Sequence, residues 1–198
     1  NQAKELDWSD LALHEEKIAT AIHNIRGIEK DKFLSKVAKA YMAIIGDGKG
    51  GIFCEDSLER PNEWKDKAKQ NIGLGKFDVL LINPPFGKDI RVVGEDKLKQ
   101  YDLAHTWKKE GDGYEKTNKL KKEEAPQIIF IERSLQYLKD GGRMGIVLPE
   151  TFLHAPNSKY VLEYIQKNNN VFWVIDLPHN TFRPHNNAKC VILIVEKM

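Results

Sequence analysis

The sequence has few features of a membrane-bound or disulfide-stabilised protein. Its two cysteines, Cys54 and Cys190, lie in separate apolar stretches and are too few for a disulfide framework. No group of cysteines and histidines has the spacing of a zinc site, so we expect no metal. Apolar runs such as residues 190–195 are far shorter than the roughly 20 residues that a membrane-spanning helix needs. Residues 1–10 are polar and acidic, unlike a signal peptide, which favours a cytoplasmic protein without a membrane partner.

A large excess of charge of either sign is also missing. The 198 residues include 31 Lys and Arg against 29 Asp and Glu, which gives a net charge of +2. A domain that binds nucleic acid by electrostatic attraction alone is usually more basic than this. If the protein binds nucleic acid, we therefore expect a local groove or the help of a partner.

The apolar pattern predicts alternating helices and strands. Helical spacing occurs at residues 6–22, 32–45, 127–138 and 158–167. Short apolar runs that predict strands occur at residues 25–28, 51–54, 77–82, 143–148, 171–177 and 189–196. This alternation predicts an α/β fold, with a mostly parallel sheet and helices on both of its faces. The run at 77–82 is typical of a strand buried on both faces.

Residues 88–124 interrupt this pattern. Between residues 95 and 124, eight lysines stand against eight acidic residues, and few side chains are large and apolar. Such a segment has little to bury, so we predict a charged, solvated insertion that is mobile without nucleic acid.

Two glycine- or proline-rich segments are candidates for ligand binding. Residues 46–51 match the pattern G-x-G-x-x-G, but they follow a predicted helix and precede a strand, the reverse of a dinucleotide-binding loop. Asn83-Pro84-Pro85-Phe86 instead follows an apolar strand, at the position where open α/β sheets bind ligands. The alternative for this second segment is a pair of prolines that merely ends the strand.

The residue types after the strand suit a planar group that carries an amine. The Asn83 carboxamide oxygen and the Pro84 carbonyl can each accept one N–H bond, and the Phe86 ring offers a surface for stacking. Two acceptors aligned on the N–H bonds favour the pyramidal amine, whose lone pair can attack an electrophilic methyl group. They would act in the transition state, and no strong base is needed because the nitrogen becomes acidic only after the attack.

Residues 77–87 (FDVLLINPPFG) and 140–149 (DGGRMGIVLP) resemble S-adenosylmethionine-dependent adenine-N6 DNA methyltransferases. The greatest similarity is to the modification subunits of type I restriction–modification systems. The resemblance implies a Rossmann-like fold, S-adenosylmethionine as cofactor and methylation of an adenine flipped out of double-stranded DNA. It also implies a DNA-specificity subunit and a restriction subunit as partners. The resemblance also implies that the catalytic residues are Asn83, Pro84, Pro85 and Phe86.

Three further positions match the family. Glu29, at the end of a strand, matches the acidic residue that binds the cofactor ribose, and the alternative is a solvated carboxylate. Asp56 matches the carboxylate that accepts from the cofactor adenine amine, and the alternative is a helix cap. Phe182 matches the second aromatic ring that stacks on the flipped base. The alternative is a phenylalanine that only packs in the hydrophobic core.

The family's first motif, a strand that leads into an Asp/Asn-Pro-x-x-Gly-x-Gly loop, is absent from the sequence. The resemblance therefore implies that residues 1–198 are a fragment of one catalytic domain that lacks its first strand and binds the cofactor weakly. Two other functions stay open. One is a ribosomal RNA base methyltransferase acting on guanine-N2 or adenine-N6, in which no long insertion after Gly87 is expected. The other is a non-catalytic scaffold with the methyltransferase fold.

Overall fold

A computed structural model describes residues 8–45, 50–87, 89–184 and 187–198, which form two compact units, Asn1–Ile72 and Gly73–Met198. Most of the glycine-rich segment at 46–51 lies outside the described residues. Within the described ranges, no helix is long and apolar enough to cross a membrane. In the same ranges, no group of three histidine, cysteine or acidic side chains is placed to hold a metal ion.

The first unit pairs two short parallel strands. Its elements are α1 (Trp8–Asn24), β1 (Gly27–Ile28), α2 (Lys32–Ile44), β2 (Ile52–Phe53) and α3 (Asp66–Asn71). Gly27 lies opposite Ile52 in the parallel register, so both strands end at the same edge. The carboxylate of Asp31 begins α2 because it accepts hydrogen bonds from the amides of Phe33 and Leu34, each at 2.8 Å.

A four-stranded sheet organises the second unit. Its strands are β3 (Phe77–Ile82), β8 (Leu138–Pro149), β9 (Asn169–Asp176) and β10 (Cys190–Lys197), in the spatial order β3-β8-β10-β9. β3, β8 and β9 point in one direction, and β10 runs antiparallel to both of its neighbours. β3, β9 and β10 lie within two residues of their predicted positions, whereas β8 begins five residues before its predicted start. The three strands that run together share one carboxyl edge.

Three helices of this unit cover one face of the sheet. They are α5 (Pro126–Tyr137), α6 (Glu150–His154) and α7 (Lys159–Asn168). Their apolar side chains pack with one face of the strands in a core that includes Ile131, Ile146, Val161, Leu193 and Val195.

No helix in the described part of this unit packs on the opposite face of the sheet. Val79 is 65% exposed and Leu81 is 81% exposed, so the prediction that β3 is buried on both faces is wrong in this structure. The reason is tertiary, because in the described part of the unit only β8 pairs with β3 and the helices lie on the other face. The apolar sequence of β3 shows that the strand is hydrophobic. Whether both of its faces are covered depends on which other elements of the fold pack against it.

The segment predicted to be solvated is folded. It contains β4 (Val92–Val93), α4 (Glu95–Leu98), β5 (His105–Glu110), β6 (Gly113–Leu120) and β7 (Glu123–Glu124). β4 pairs with β7 and closes the segment at its base, while β5 and β6 form a hairpin. Leu98, Tyr101 and Leu103 are fully buried, so the prediction of an insertion with little to bury is wrong.

The hairpin packs against α7. The Trp107 ring stacks on Tyr160 with centroids 5.7 Å apart, and it meets Tyr164 edge-on at 6.1 Å. The Glu163 carboxylate accepts a 2.9 Å hydrogen bond from the Tyr114 amide. A few aromatic side chains therefore hold the hairpin against α7, although the segment is highly charged on average.

Candidate active site

The carboxyl end of β3 places the Asn-Pro-Pro-Phe segment at the edge of the sheet. Asn83 and Pro85 are exposed, Pro84 is buried and Phe86 is half-buried. The buried Pro84 ring anchors a backbone whose φ the pyrrolidine ring already fixes. As a result, the Asn83 side chain stays exposed next to a fixed backbone.

An open groove of about 400 Å³ on the exposed face of the sheet leads to Asn83. Asn83 is the polar side chain among its lining residues, which are otherwise Leu81, Ile82, Gly145, Val147, Ile175, Ile192 and Ile194. A Cβ at Gly145 would lie 3.1 Å from the Leu81 side chain and 3.3 Å from that of Ile194, so glycine keeps this part of the groove open. Among these lining residues, Asn83 is the side chain that can form hydrogen bonds with a ligand.

Phe182 lies in the connection between β9 and β10. Residues 178–183 form a turn in which the Thr181 amide donates to the Pro178 carbonyl at 3.0 Å and the Arg183 amide donates to the Asn180 carbonyl at 3.2 Å. The Phe182 side chain is half-buried. Because β9 and β3 point the same way, this connection leaves the sheet at the edge that carries Asn83.

A cluster of charged side chains that the sequence analysis missed lies at the same edge. Lys189 forms ion pairs with Glu150 and Asp176. These residues are far apart in the sequence and match no motif, so only the register of β8, β9 and β10 could have revealed them.

In the first unit, Glu29 and Asp56 follow the two parallel strands, as their predicted positions require. The Glu29 amide donates to the Phe53 carbonyl at 3.0 Å, and its Oε1 accepts from the Asp31 amide at 2.8 Å. Asp56 accepts from the Leu58 amide at 3.0 Å through Oδ1, and its Oδ2 lies 2.9 Å from the Lys30 Nζ. Both carboxylates are thus already oriented by contacts within the unit.

These two carboxylates fit the nucleoside part of S-adenosylmethionine by the chemistry of their donor set. Ribose hydroxyls and an adenine amine are hydrogen-bond donors, and an ionised carboxylate offers about four lone-pair directions. Among the described residues, Glu29 accepts at Oε1 from the Asp31 amide, which uses only one of its lone-pair directions. Their position beyond the carboxyl ends of parallel strands is where such folds bind ligands.

The fold is that of S-adenosylmethionine-dependent methyltransferases. Solved structures that match it include the methyltransferase subunit of a type I restriction–modification system from Streptococcus thermophilus, with 21% identity and a TM-score of 0.63 over 88% of this chain and 34% of that one. A modification subunit of a putative type I restriction enzyme from Vibrio vulnificus has 21% identity and a TM-score of 0.61, over 87% of this chain and 32% of that one.

The sequence defines the family more narrowly. The model of the N-6 DNA methylase family matches residues 9–198, so this chain belongs to that family. The type II methyltransferase M.AccI of Acinetobacter calcoaceticus is 25% identical over 86% of this chain and 27% of its own length. The type II restriction enzyme and methyltransferase RM.Eco57I of Escherichia coli is 26% identical over 60% of this chain and 11% of its own length. The chain thus spans about a quarter or less of these relatives.

Proposed function

We propose that this chain forms part of the catalytic domain of a DNA adenine-N6 methyltransferase and contains the site for the target amine. The observation that carries the proposal is the Asn-Pro-Pro-Phe segment, which leaves β3 with Asn83 exposed and Pro84 buried. The connection that carries Phe182 leaves the same edge of the sheet. Membership of the N-6 DNA methylase family supports the reaction class.

In the proposed mechanism, Asn83 Oδ1 and the Pro84 carbonyl each accept one N–H of the adenine amine. S-adenosylmethionine, when bound, supplies an electrophilic methyl group. The two acceptors would hold the amine nitrogen pyramidal, with its lone pair directed at the methyl group that bound S-adenosylmethionine would supply and with the sulfur as leaving group. The methylated nitrogen then releases one proton to solvent, which restores a neutral amine.

The base must leave the DNA stack before this geometry can form, because a paired amine cannot reach a pocket. Phe86 and Phe182 would stack on the extruded adenine, and stacking on an aromatic ring contributes about 1–3 kcal/mol per base. The Phe86 ring is half-buried, which leaves part of it available for this contact. Glu29 and Asp56 would accept from the ribose hydroxyls and the adenine amine of the cofactor.

The proposed partners are double-stranded DNA, a DNA-specificity subunit and a restriction subunit. Similarity to type I modification subunits supports the two protein partners. The folded segment between Gly87 and α5 favours this class over a ribosomal RNA methyltransferase, in which no such insertion is expected. The small net charge of +2 agrees with a catalytic part that relies on a partner for much of its DNA affinity.

Asn83→Ala in the full-length protein tests the proposal. Loss of a transition-state acceptor typically slows an enzyme about 100- to 1,000-fold. Because Asn83 is exposed, the variant should melt at the wild-type temperature and bind duplex DNA with unchanged affinity. Asn118→Ala, an exposed asparagine on β6, is the matched control and should keep wild-type activity.

The assay measures N6-methyladenine by mass spectrometry, using plasmid DNA from a strain without adenine methylation. An Asn83→Ala rate above a tenth of the wild-type rate would contradict the acceptor role. For the ring, Phe86→Trp should keep some activity and Phe86→Ala should weaken binding of the base. Equal losses in the two variants would show that Phe86 only packs.

A further inference from the structure

Three charged side chains join three strand ends at the edge that carries Asn83. The Lys189 Nζ lies 3.2 Å from Oδ1 of Asp176 and 3.4 Å from Oε1 of Glu150. Asp176 is the last residue of β9, Glu150 directly follows β8, and Lys189 directly precedes β10. A single ammonium group thus joins the ends of two parallel strands to the start of the antiparallel strand between them.

Backbone hydrogen bonds place these side chains. The Glu150 amide donates to the Lys189 carbonyl at 2.8 Å, and the Leu177 amide donates to the Cys190 carbonyl at 3.1 Å. Both ends of the connection between β9 and β10 are therefore fixed, one at Leu177 and the other at Lys189. This connection carries Phe182.

The charge balance of the cluster depends on Lys189. Its side chain is 33% exposed, and the hydrogen bond and attraction of Asp176, followed by the attraction of Glu150, raise its pKa above the ordinary value. The two carboxylates lie within 3.4 Å of the same nitrogen, so without Lys189 they would repel each other. Uncompensated carboxylates at an edge that meets DNA would also repel its phosphates.

We propose that Lys189 is a positioning residue for base binding, which holds the Phe182 connection at the edge of the sheet by bridging Asp176 and Glu150. This inference rests on the proposed function, because it assumes that Phe182 stacks on the extruded adenine. Exposed ion pairs contribute little to overall stability, so the effect should fall on catalysis more than on melting.

Lys189→Met in the full-length protein is the test, because methionine keeps the length of the side chain and removes its charge. Lys197→Met is the matched control. Lys197 lies at the other end of β10 and pairs with Asp140 at 3.6 Å, which places a similar ion pair at the opposite edge of the sheet.

A misplaced base-binding ring should lower kcat for DNA methylation by about tenfold or more in Lys189→Met, with KM for the cofactor unchanged. Lys197→Met should keep the wild-type kcat. Lys189→Arg should restore most of the activity, because a guanidinium can bridge two carboxylates. The inference is overturned if Lys189→Met and Lys197→Met have the same kcat.

A double-mutant cycle with Phe182→Ala separates positioning from a general structural effect. If Lys189 acts through Phe182, the double variant should be no slower than Phe182→Ala alone. Additive losses, or a wild-type rate for Phe182→Ala, would also overturn the inference.

If Lys189→Met does not fold, Asp176→Asn replaces it, because Asp176 is 67% exposed and tolerates the change. It should lower kcat with normal melting, and a normal kcat would refute the inference. The proposed function has a separate test, because it is refuted if Asn83→Ala remains active. An inactive Asn83→Ala beside a normal Lys189→Met rejects the positioning role alone.

Discussion

Glu132→Gln should change how the stability of the protein depends on pH. The Glu132 side chain extends from α5 and is 4% exposed. Its Oε1 accepts from the Asp102 amide at 2.9 Å and its Oε2 accepts from the Leu103 amide at 2.8 Å. These contacts fasten the turn at residues 102–104, in which Leu103 and Ala104 are buried, to the helix that supports the sheet.

Burial raises the pKa of Glu132 from its ordinary value of 4.5 to about 7, against the opposing effect of the two amide hydrogen bonds. A carboxyl group with a raised pKa contributes stability that is fully present below pH 4.5 and is lost as the pH rises through 7. A difference of 2.5 pH units at 1.36 kcal/mol each gives about 3 kcal/mol. Glutamine does not ionise, so Glu132→Gln should lack this loss.

Urea unfolding followed by circular dichroism between pH 4.5 and pH 8 measures the effect. The unfolding free energy of the wild type minus that of Glu132→Gln should fall by about 3 kcal/mol across this range. A constant offset of about 1–3 kcal/mol against the variant is expected, because a glutamine NH₂ would face a backbone amide. Glu163→Gln, which changes a half-buried carboxylate that accepts the Tyr114 amide, controls for the lost contact itself. Parallel curves for the wild type and Glu132→Gln would refute the reasoning.

Two further variants test side-chain packing, and a third tests the N-terminal cap of α2. Gly142→Ala would place a Cβ 2.9 Å from the Phe77 carbonyl oxygen, which is backbone, so it should lower the unfolding free energy by about 1–3 kcal/mol in urea titrations. Trp107→Ala should lose about 2–3 kcal/mol of the packing on Tyr160 and increase amide hydrogen exchange in the hairpin, and unchanged exchange would contradict this packing. Asp31→Ala should cost about 1 kcal/mol in thermal unfolding, because two amides at the start of α2 lose their acceptor.

Local sequence patterns predicted the elements that carry the candidate site. The strand at Phe77–Ile82 ends at the Asn-Pro-Pro-Phe segment because the two prolines stop the ladder. The positions of Glu29 and Asp56 after neighbouring strands also followed from pattern, and parallel pairing of β1 and β2 brings their strand ends to one edge.

The 88–124 segment shows where such prediction stops. Its balanced charges suggested a solvated insertion, yet a few residues such as Leu98 and Tyr101 are fully buried. Arg133 is 1% exposed, and its Nε donates to the Tyr101 hydroxyl at 2.8 Å. Composition averages over a segment, whereas burial depends on which side chains meet a partner.

The sequence by itself determined the α/β alternation, the end of β3 and the chemistry of the groups placed there, because propensity and side-chain type are local properties. Tertiary structure alone decided which sheet face is covered and which distant charges meet. Val79 and Leu81 are exposed although they are apolar, and Lys189 meets Glu150 and Asp176 although they are far apart in the sequence. Strand order and register bring such residues together, and both are set by packing of the whole sheet.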